Sequence, residues 1–342
     1  MSPLTLSDYG WNEHFQKAQD ALNLGQTFPA RVMAVHRDAV DVAGPEFTGR
    51  VQQTLIQKDG EDRPTTGDWV AVTRDTNRLA ALYPRQSLFK RRSAGTAVRM
   101  QLIAANIDTV FFVTSANQDF NVPRMERYLA MAHEAKVTPV VIITKTDLCA
   151  DPQPYYDQAR AIQNGLLVEM INAKDKDISN RLEAWLGSGQ TIAMLGSSGV
   201  GKSTIINSLM GAEVQGTQAI RESDARGRHT TSGRSLHRMP SGAWLMDTPG
   251  MRELQIVDVE EGIEAVFDDV VALAENCKFS NCAHVNEPGC AVIAAVKAGT
   301  LEPDRVARFK LLQKEEAQNS GASQDKYRAA RQAVTSSKRR KS

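Results

Sequence analysis

The chain has 342 residues, 42% of them hydrophobic, and its 41 basic and 40 acidic side chains leave a formal net charge of +1. That is long for one ordinary domain and apolar enough for a real core, and the balanced charge gives no overall polyanion-binding signature, so any basic surface has to be local. Residues 1–15 lack the basic-then-apolar layout of a signal peptide, and no run approaches the ~20 apolar residues that span a bilayer. Four cysteines in a chain of this length do not describe a secreted disulfide framework. We expect a soluble cytoplasmic monomer with no membrane contact.

Residues 1–27 are polar, with a short helix around Glu13–Leu24, and read as a loose extension. From 28 to 84 the pattern changes to short β-like stretches at Ala30–Val35, Ala39–Val42, Thr48–Gln53, Trp69–Thr73 and Leu79–Leu82, separated by Gly, Pro and Asp. Such a meander predicts a small OB-like β-barrel, a fold that often contacts nucleic acid and otherwise props up a neighbour. Residues 85–100, with Phe89-Lys90-Arg91-Arg92, read as a linker with a basic tip. Over 101–256 strands and helices alternate. Strands are expected at Thr109–Val113, Val137–Thr144, Leu166–Ile171, Ile192–Leu195 and Ala243–Met246. Helices are expected from Pro123 to about Lys136 and over Pro154–Asn164, Ile178–Leu186 and Thr204–Met210. That alternation predicts a mostly parallel sheet covered by helices.

Gly196-Ser197-Ser198-Gly199-Val200-Gly201-Lys202-Ser203 follows one of these strands and, with Thr204, opens the next helix. Strand, glycine loop and helix are the context in which G-x-x-x-x-G-K-S cradles phosphate: backbone N–H groups and the helix N-terminus face the anion, Lys202 reaches the outer phosphates and the Ser203 hydroxyl ligates Mg²⁺. Asp247-Thr248-Pro249-Gly250 follows the last strand, where the Asp247 carboxylate can hold Mg²⁺ and the Gly250 N–H can approach a γ-phosphate. Between them, Arg226-Gly227-Arg228-His229-Thr230-Thr231-Ser232 reads as a switch loop. Either Thr230 or Thr231, with Thr231 preferred, would complete the Mg²⁺ shell.

Upstream, Thr144-Lys145-Thr146-Asp147 matches the guanine-reading N-K-x-D motif with threonine in place of asparagine. The Asp147 carboxylate can accept from both N1–H and the exocyclic amine of guanine, and the Lys145 stem can lie along the base. The Thr144 hydroxyl cannot reproduce an amide's two contacts, which bears on affinity rather than base choice; ATP is a rival to GTP, and Asp147 predicts that GTP wins. Asn172-Ala173-Lys174 stands where many GTPases carry S-A-K. Ordinary GTPases run from phosphate loop to base motif; here the base half comes first, so the sheet has to be a circular permutation of the usual one. Past the switch, Cys277-x₄-Cys282-x-His284-x₅-Cys290 supplies a complete tetrahedral set for structural Zn²⁺ within 257–320, and Cys149 reads as a small buried apolar residue. Pro303 opens a helix with Val306, Phe309 and Leu312 on one face, and the tail over 321–342 is densely basic.

Gly67-Asp68-Trp69-Val70, the permuted motifs, Gly227-Arg228-His229-Thr230-Thr231 and Glu287-Pro288-Gly289-Cys290 together resemble the RsgA (YjeQ) family of circularly permuted, small-ribosomal-subunit-dependent GTPases over roughly residues 28–316. The resemblance implies an OB-like barrel, a permuted α/β P-loop GTPase domain and a helical zinc domain. It further implies the small ribosomal subunit and its rRNA as partners, and GTP hydrolysis to GDP that is slow alone and faster on the subunit. Met251 stands where Ras-like enzymes place a water-orienting glutamine, and the resemblance moves that task to His229, whose other reading is an RNA-facing surface residue. The chain departs from the family at Thr144, Asn172 and Ser232. A rival of another class is an RNA-binding module whose nucleotide site only reports occupancy; intact Lys202, Ser203 and Asp247 argue against it.

Overall fold

A computed structural model of the chain describes residues 3–52, 62–92, 100–211, 235–247 and 258–320. It divides into two compact units, one formed by Met1–Asn121 with Ala135–Leu254 and the other by Val122–Glu134 with Gln255–Ser342. In the first unit, β1 (Thr27–Val35), β2 (Ala39–Ala43), β3 (Thr48–Gln52), β4 (Trp69–Thr73) and β5 (Leu79–Leu82) pair antiparallel in the order β3-β2-β1-β4-β5. Their alternating apolar residues converge on one core of Phe28, Ala30, Val32, Val40, Val42, Val51, Val70, Val72 and Leu79. A register shift between Val32 and Ala34 bends β1, as a bulge does, and there Ala34 pairs with Ser235, which joins these strands to the parallel part of the same sheet.

The stretch read as a linker is a two-stranded ribbon, β6 (Leu88–Arg92) against β7 (Met100–Ala105), running from Leu88↔Ala105 to Arg92↔Met100. Its strand character is hidden in the sequence because Lys90, Arg91 and Arg92 interrupt the apolar alternation. Then come β8 (Thr109–Ser115), β9 (Thr138–Thr144), β10 (Leu167–Met170), β11 (Thr191–Leu195), β12 (Ser235–Arg238) and β13 (Trp244–Asp247). Strands β10-β9-β8-β11-β13 are parallel in that order, and β12 is antiparallel to β13. The short strand β12 has one buried apolar residue, Leu236, and so no legible alternation. Among the described residues the unit's helices are α1 (Glu13–Leu22), α3 (Gln153–Arg160), α4 (Ile178–Arg181) and α5 (Lys202–Met210). The helix expected over 178–186 breaks at Leu182 and ends as a separate 3₁₀ turn, Glu183–Trp185.

Residues 3–22 are not a loose extension. The Arg31 guanidinium, 1% exposed, donates to Tyr9 O at 2.6 Å, Asn106 O at 3.1 Å and Thr191 Oγ1 at 2.7 Å, tying the N-terminal segment to β1 and to the start of β11. Burial pulls its pKa down to about 10, which leaves it charged near neutrality. Trp244 Nε1 donates to Asp8 O at 2.8 Å, the Tyr9 and Trp244 rings stack, and Trp11 meets Phe15, Trp69 and Tyr83. Composition hides this docking because its anchors are backbone carbonyls and three separate aromatic residues, Tyr9, Trp11 and Phe15, set in an otherwise polar segment.

The second unit holds α2 (Val122–Glu134), α6 (Glu260–Val266), α7 (Asp268–Ala274), α8 (Ala291–Lys297) and α9 (Pro303–Ser320). A Cβ on Gly262 would lie 1.9 Å from Ala130 O, so α2 and α6 meet backbone to backbone. The Glu126 carboxylate, 1% exposed, accepts from Arg305 Nη1 at 3.0 Å and Arg308 Nε at 2.9 Å. Val306, Phe309 and Leu312 form the buried face of α9, as its spacing predicts. Among the described residues no helix is long and apolar enough to cross a membrane.

Candidate nucleotide site and metal centre

Because β9, β10, β11 and β13 are parallel, the segments that follow them leave the sheet at the same carboxyl edge, the usual ligand edge of such sheets. That edge gathers Thr144–Asp147, Asn172–Lys174, Gly196–Ser203 and Asp247. Only β8 separates β9 from β11, so the base-reading and phosphate segments start about 10 Å apart, two strand spacings.

The phosphate loop adopts the form that its glycines allow. Gly196 has φ 148°, and a Cβ there would lie 2.1 Å from Val113 O; Gly201 has φ 106° and gives way directly to α5. Lys202 opens that helix and is 7% exposed. Its ammonium donates to Gly196 O at 2.7 Å and to Ser197 O, so the loop's own carbonyls hold the cation over the cradle. Ser197, Ser198, Gly199, Val200, Ser203 and Thr204 surround it in sequence, with Val200 buried beneath the loop.

On the base side, Lys145 takes a left-handed conformation (φ 59°) that turns the chain out of β9 into the 3₁₀ turn Thr146–Leu148, which carries Asp147 exposed. Thr144 is fully buried. Its hydroxyl lies 3.0 Å from Thr114 O and 2.5 Å from Val200 O in the phosphate loop, so its single proton is shared between two backbone carbonyls. After β10, the Asn172 side chain accepts from Lys174 N at 3.0 Å, closing the turn, and Ala173 O accepts from the Ser208 hydroxyl of α5 at 2.8 Å. Sequence reading missed Ser208, since nothing in a helix's spacing announces a bond to a loop thirty-five positions earlier. It also placed Cys149 in a core, whereas the thiol is half-exposed and donates to Asp151 O. His229, Thr230, Thr231, Thr248, Gly250 and Met251 lie outside the described residues; Asp247 stands at the end of β13.

The second unit brings Cys277, Cys282, His284 and Cys290 together, with one ligand atom of each within 4.8 Å of every other. A tetrahedral ion with metal–sulfur bonds near 2.3 Å and metal–nitrogen bonds near 2.0 Å sets sulfurs about 3.8 Å apart and sulfur about 3.6 Å from nitrogen. The Cys277 and Cys290 sulfurs are 3.8 Å apart, and His284 Nδ1 is 3.6 Å and 3.4 Å from them. These edges fit a metal ion. Local structure builds the site: the Glu287 carboxylate accepts from the N–H groups of Ala283, Val285 and Asn286, and those bonds hold its pKa down to about 2. Gly289 has φ 77°, and Cys290 caps α8 by accepting from Ile293 N at 3.4 Å. Without metal, burial pushes the Cys282 thiol up to about 12.

A parallel sheet with a phosphate loop after an interior strand, β11, and a base motif that precedes that loop in the chain, defines a circularly permuted P-loop GTPase. The model of the RsgA GTPase family matches residues 82–257. The "Small ribosomal subunit biogenesis GTPase RsgA" of Mesorhizobium japonicum is 46% identical over 92% of this chain and 91% of its own length. The fold is also that of YjeQ from Thermotoga maritima (TM-score 0.61, 24% identity, 84% of this chain and 98% of that one). It is shared by YloQ, described as a circularly permuted GTPase (TM-score 0.58, 22% identity, 84% and 95%). The chain belongs to the RsgA GTPase family and is a GTP-hydrolysing enzyme.

Proposed function

We propose that this GTPase binds the small ribosomal subunit, assists its late maturation in the cytoplasm, and hydrolyses GTP faster when bound there. The observation that carries this is the identity of nearly half the residues, along almost the whole chain, with a protein named for small-subunit biogenesis, combined with an intact phosphate loop. In this reading Asp147 selects guanine, supported by Thr144, Lys145, Thr146, Asn172 and Ala173, while Gly196–Thr204 and Gly250 hold the phosphates. Ser203, Asp247 and Thr231 hold Mg²⁺, which neutralises phosphate charge when bound. His229 orients the attacking water, and ordering of its loop on the subunit would raise turnover. The Cys₃His cluster holds structural Zn²⁺, with no open position for chemistry. The barrel strands β1–β5, the β6–β7 ribbon and the basic tail face rRNA, and the protein acts as a monomer.

Phosphate release at multiple turnover, measured with no ribosome, with small subunits and with whole ribosomes, tests this. Stimulation confined to small subunits is expected, with Lys202→Ala abolishing it and His229→Ala keeping GTP binding while losing stimulation. Equal turnover in all three conditions would refute the reading.

A further inference from the structure

We infer that Thr144 and Ser208 are positioning residues for guanine selection: two hydroxyls that fasten the base-reading loops to the phosphate-binding element. The inference rests on the reading of Asp147 as the base-selecting carboxylate. Asp147 and Ala173 lie on separate loops, after β9 and after β10. Each loop is tied to the phosphate side by one hydroxyl. Thr144 Oγ1, three residues before Asp147, reaches Val200 O at 2.5 Å, two residues before Lys202. Ser208 Oγ, on the helix that Lys202 opens, donates to Ala173 O at 2.8 Å.

The Thr144 contact is close on every side. The residue is fully buried, its hydroxyl also meets Thr114 O of β8 at 3.0 Å, and a Cβ on Gly201 would lie 3.4 Å from Thr144 Oγ1 and 3.5 Å from its methyl. Any shift of the phosphate loop therefore moves the root of the base-reading turn. These two hydrogen bonds make base choice depend on the placement of the phosphate loop and of the helix that follows it. A carboxylate that reads two guanine protons tolerates little misplacement, because a misaimed acceptor loses the bidentate contact first.

The test is equilibrium binding of GDP, IDP (which lacks the exocyclic amine) and ADP by displacement of a fluorescent nucleotide from the full chain. The panel is wild type, Thr144→Val, Thr144→Ser, Ser208→Ala and Ser208→Thr, each first checked for a cooperative melt. Removing either hydroxyl is expected to weaken GDP about tenfold and to shrink the GDP-over-IDP preference by a similar factor, the scale of one lost hydrogen bond. The hydroxyl-keeping variants are expected to stay within about threefold of wild type. Ser208→Ala carries the test alone if Thr144→Val does not fold. A common drop for all three nucleotides, or an unchanged preference, overturns the inference while leaving guanine reading intact. A wild type that binds ADP as well as GDP overturns both.

Discussion

Thr144 shows what a single side chain can conceal. As a letter in a motif it is a defect, an asparagine lost from the base-reading sequence. In the fold its hydroxyl lies between two backbone carbonyls at the point where β9 meets the phosphate loop. Glu126 shows the opposite case, an unremarkable acid in a helix that turns out to be fully buried between Arg305 and Arg308. Removing one partner of a buried charge cluster strands the others, a loss of about 3–5 kcal/mol. Glu126→Ala is therefore expected to lower the melting temperature of the second unit by several degrees, read by calorimetry. Glu126→Gln, which keeps one acceptor oxygen for the arginines, should recover part of the loss. A variant that melts like wild type would show that solvent, not the arginines, satisfies the carboxylate.

At the scale of elements, the parts that chemistry forces were legible and the parts that packing forces were not. Gly196, Gly201 and Lys202 announce their loop because few residue types can take those conformations or hold a phosphate, and the cysteine–histidine spacing announces its cluster for the same reason. The β6–β7 ribbon and β12 left no trace, since Lys90–Arg92 and Ser235–Arg238 carry no apolar alternation. The metal loop is an element that stands on its ligands. Chelation is expected to expose residues 275–292 to protease and to diminish helical circular dichroism, both restored by zinc. Since burial holds the metal-free Cys282 thiol far up, binding has to displace protons, and affinity should rise with pH across the neutral range. Protease resistance unchanged by chelation would mean that the loop's hydrogen bonds, led by Glu287, suffice without metal.

For the whole molecule, the permuted order of motifs was visible in the sequence, whereas the closure of the first unit by its own N-terminus was not. Asp8 does much of that closing. Its carboxylate accepts from Thr5 N and Thr5 Oγ1 and from Ser188 Oγ, and the backbone bond to Thr5 leads in holding its pKa at about 2 against the usual 3.8. An acid whose pKa is depressed by folding contributes stability above its unfolded value, and that contribution is lost as pH falls through the folded value. The segment should thus stay docked down to about pH 4 and loosen toward pH 2. The indole N–H resonance of Trp244, which is bonded to Asp8 O, reports this directly by NMR. Asp8→Asn should remove the acid transition, and a resonance indifferent to pH in the wild type would show that Arg31 and the ring stack hold the segment unaided.

The seal on that unit also sets an order in time. Asp8 and Tyr9 leave a translating ribosome long before their partners Ser188 and Trp244, which lie some 180 and 236 positions later in the chain. Trp11 and Phe15 can meet Trp69 as soon as β4 is made, but Asp8 and the Tyr9 ring must wait for β13 and its Trp244. The first unit is locked only after Trp244 has been made, so the segment around Asp8 is the latch and not the seed of the fold.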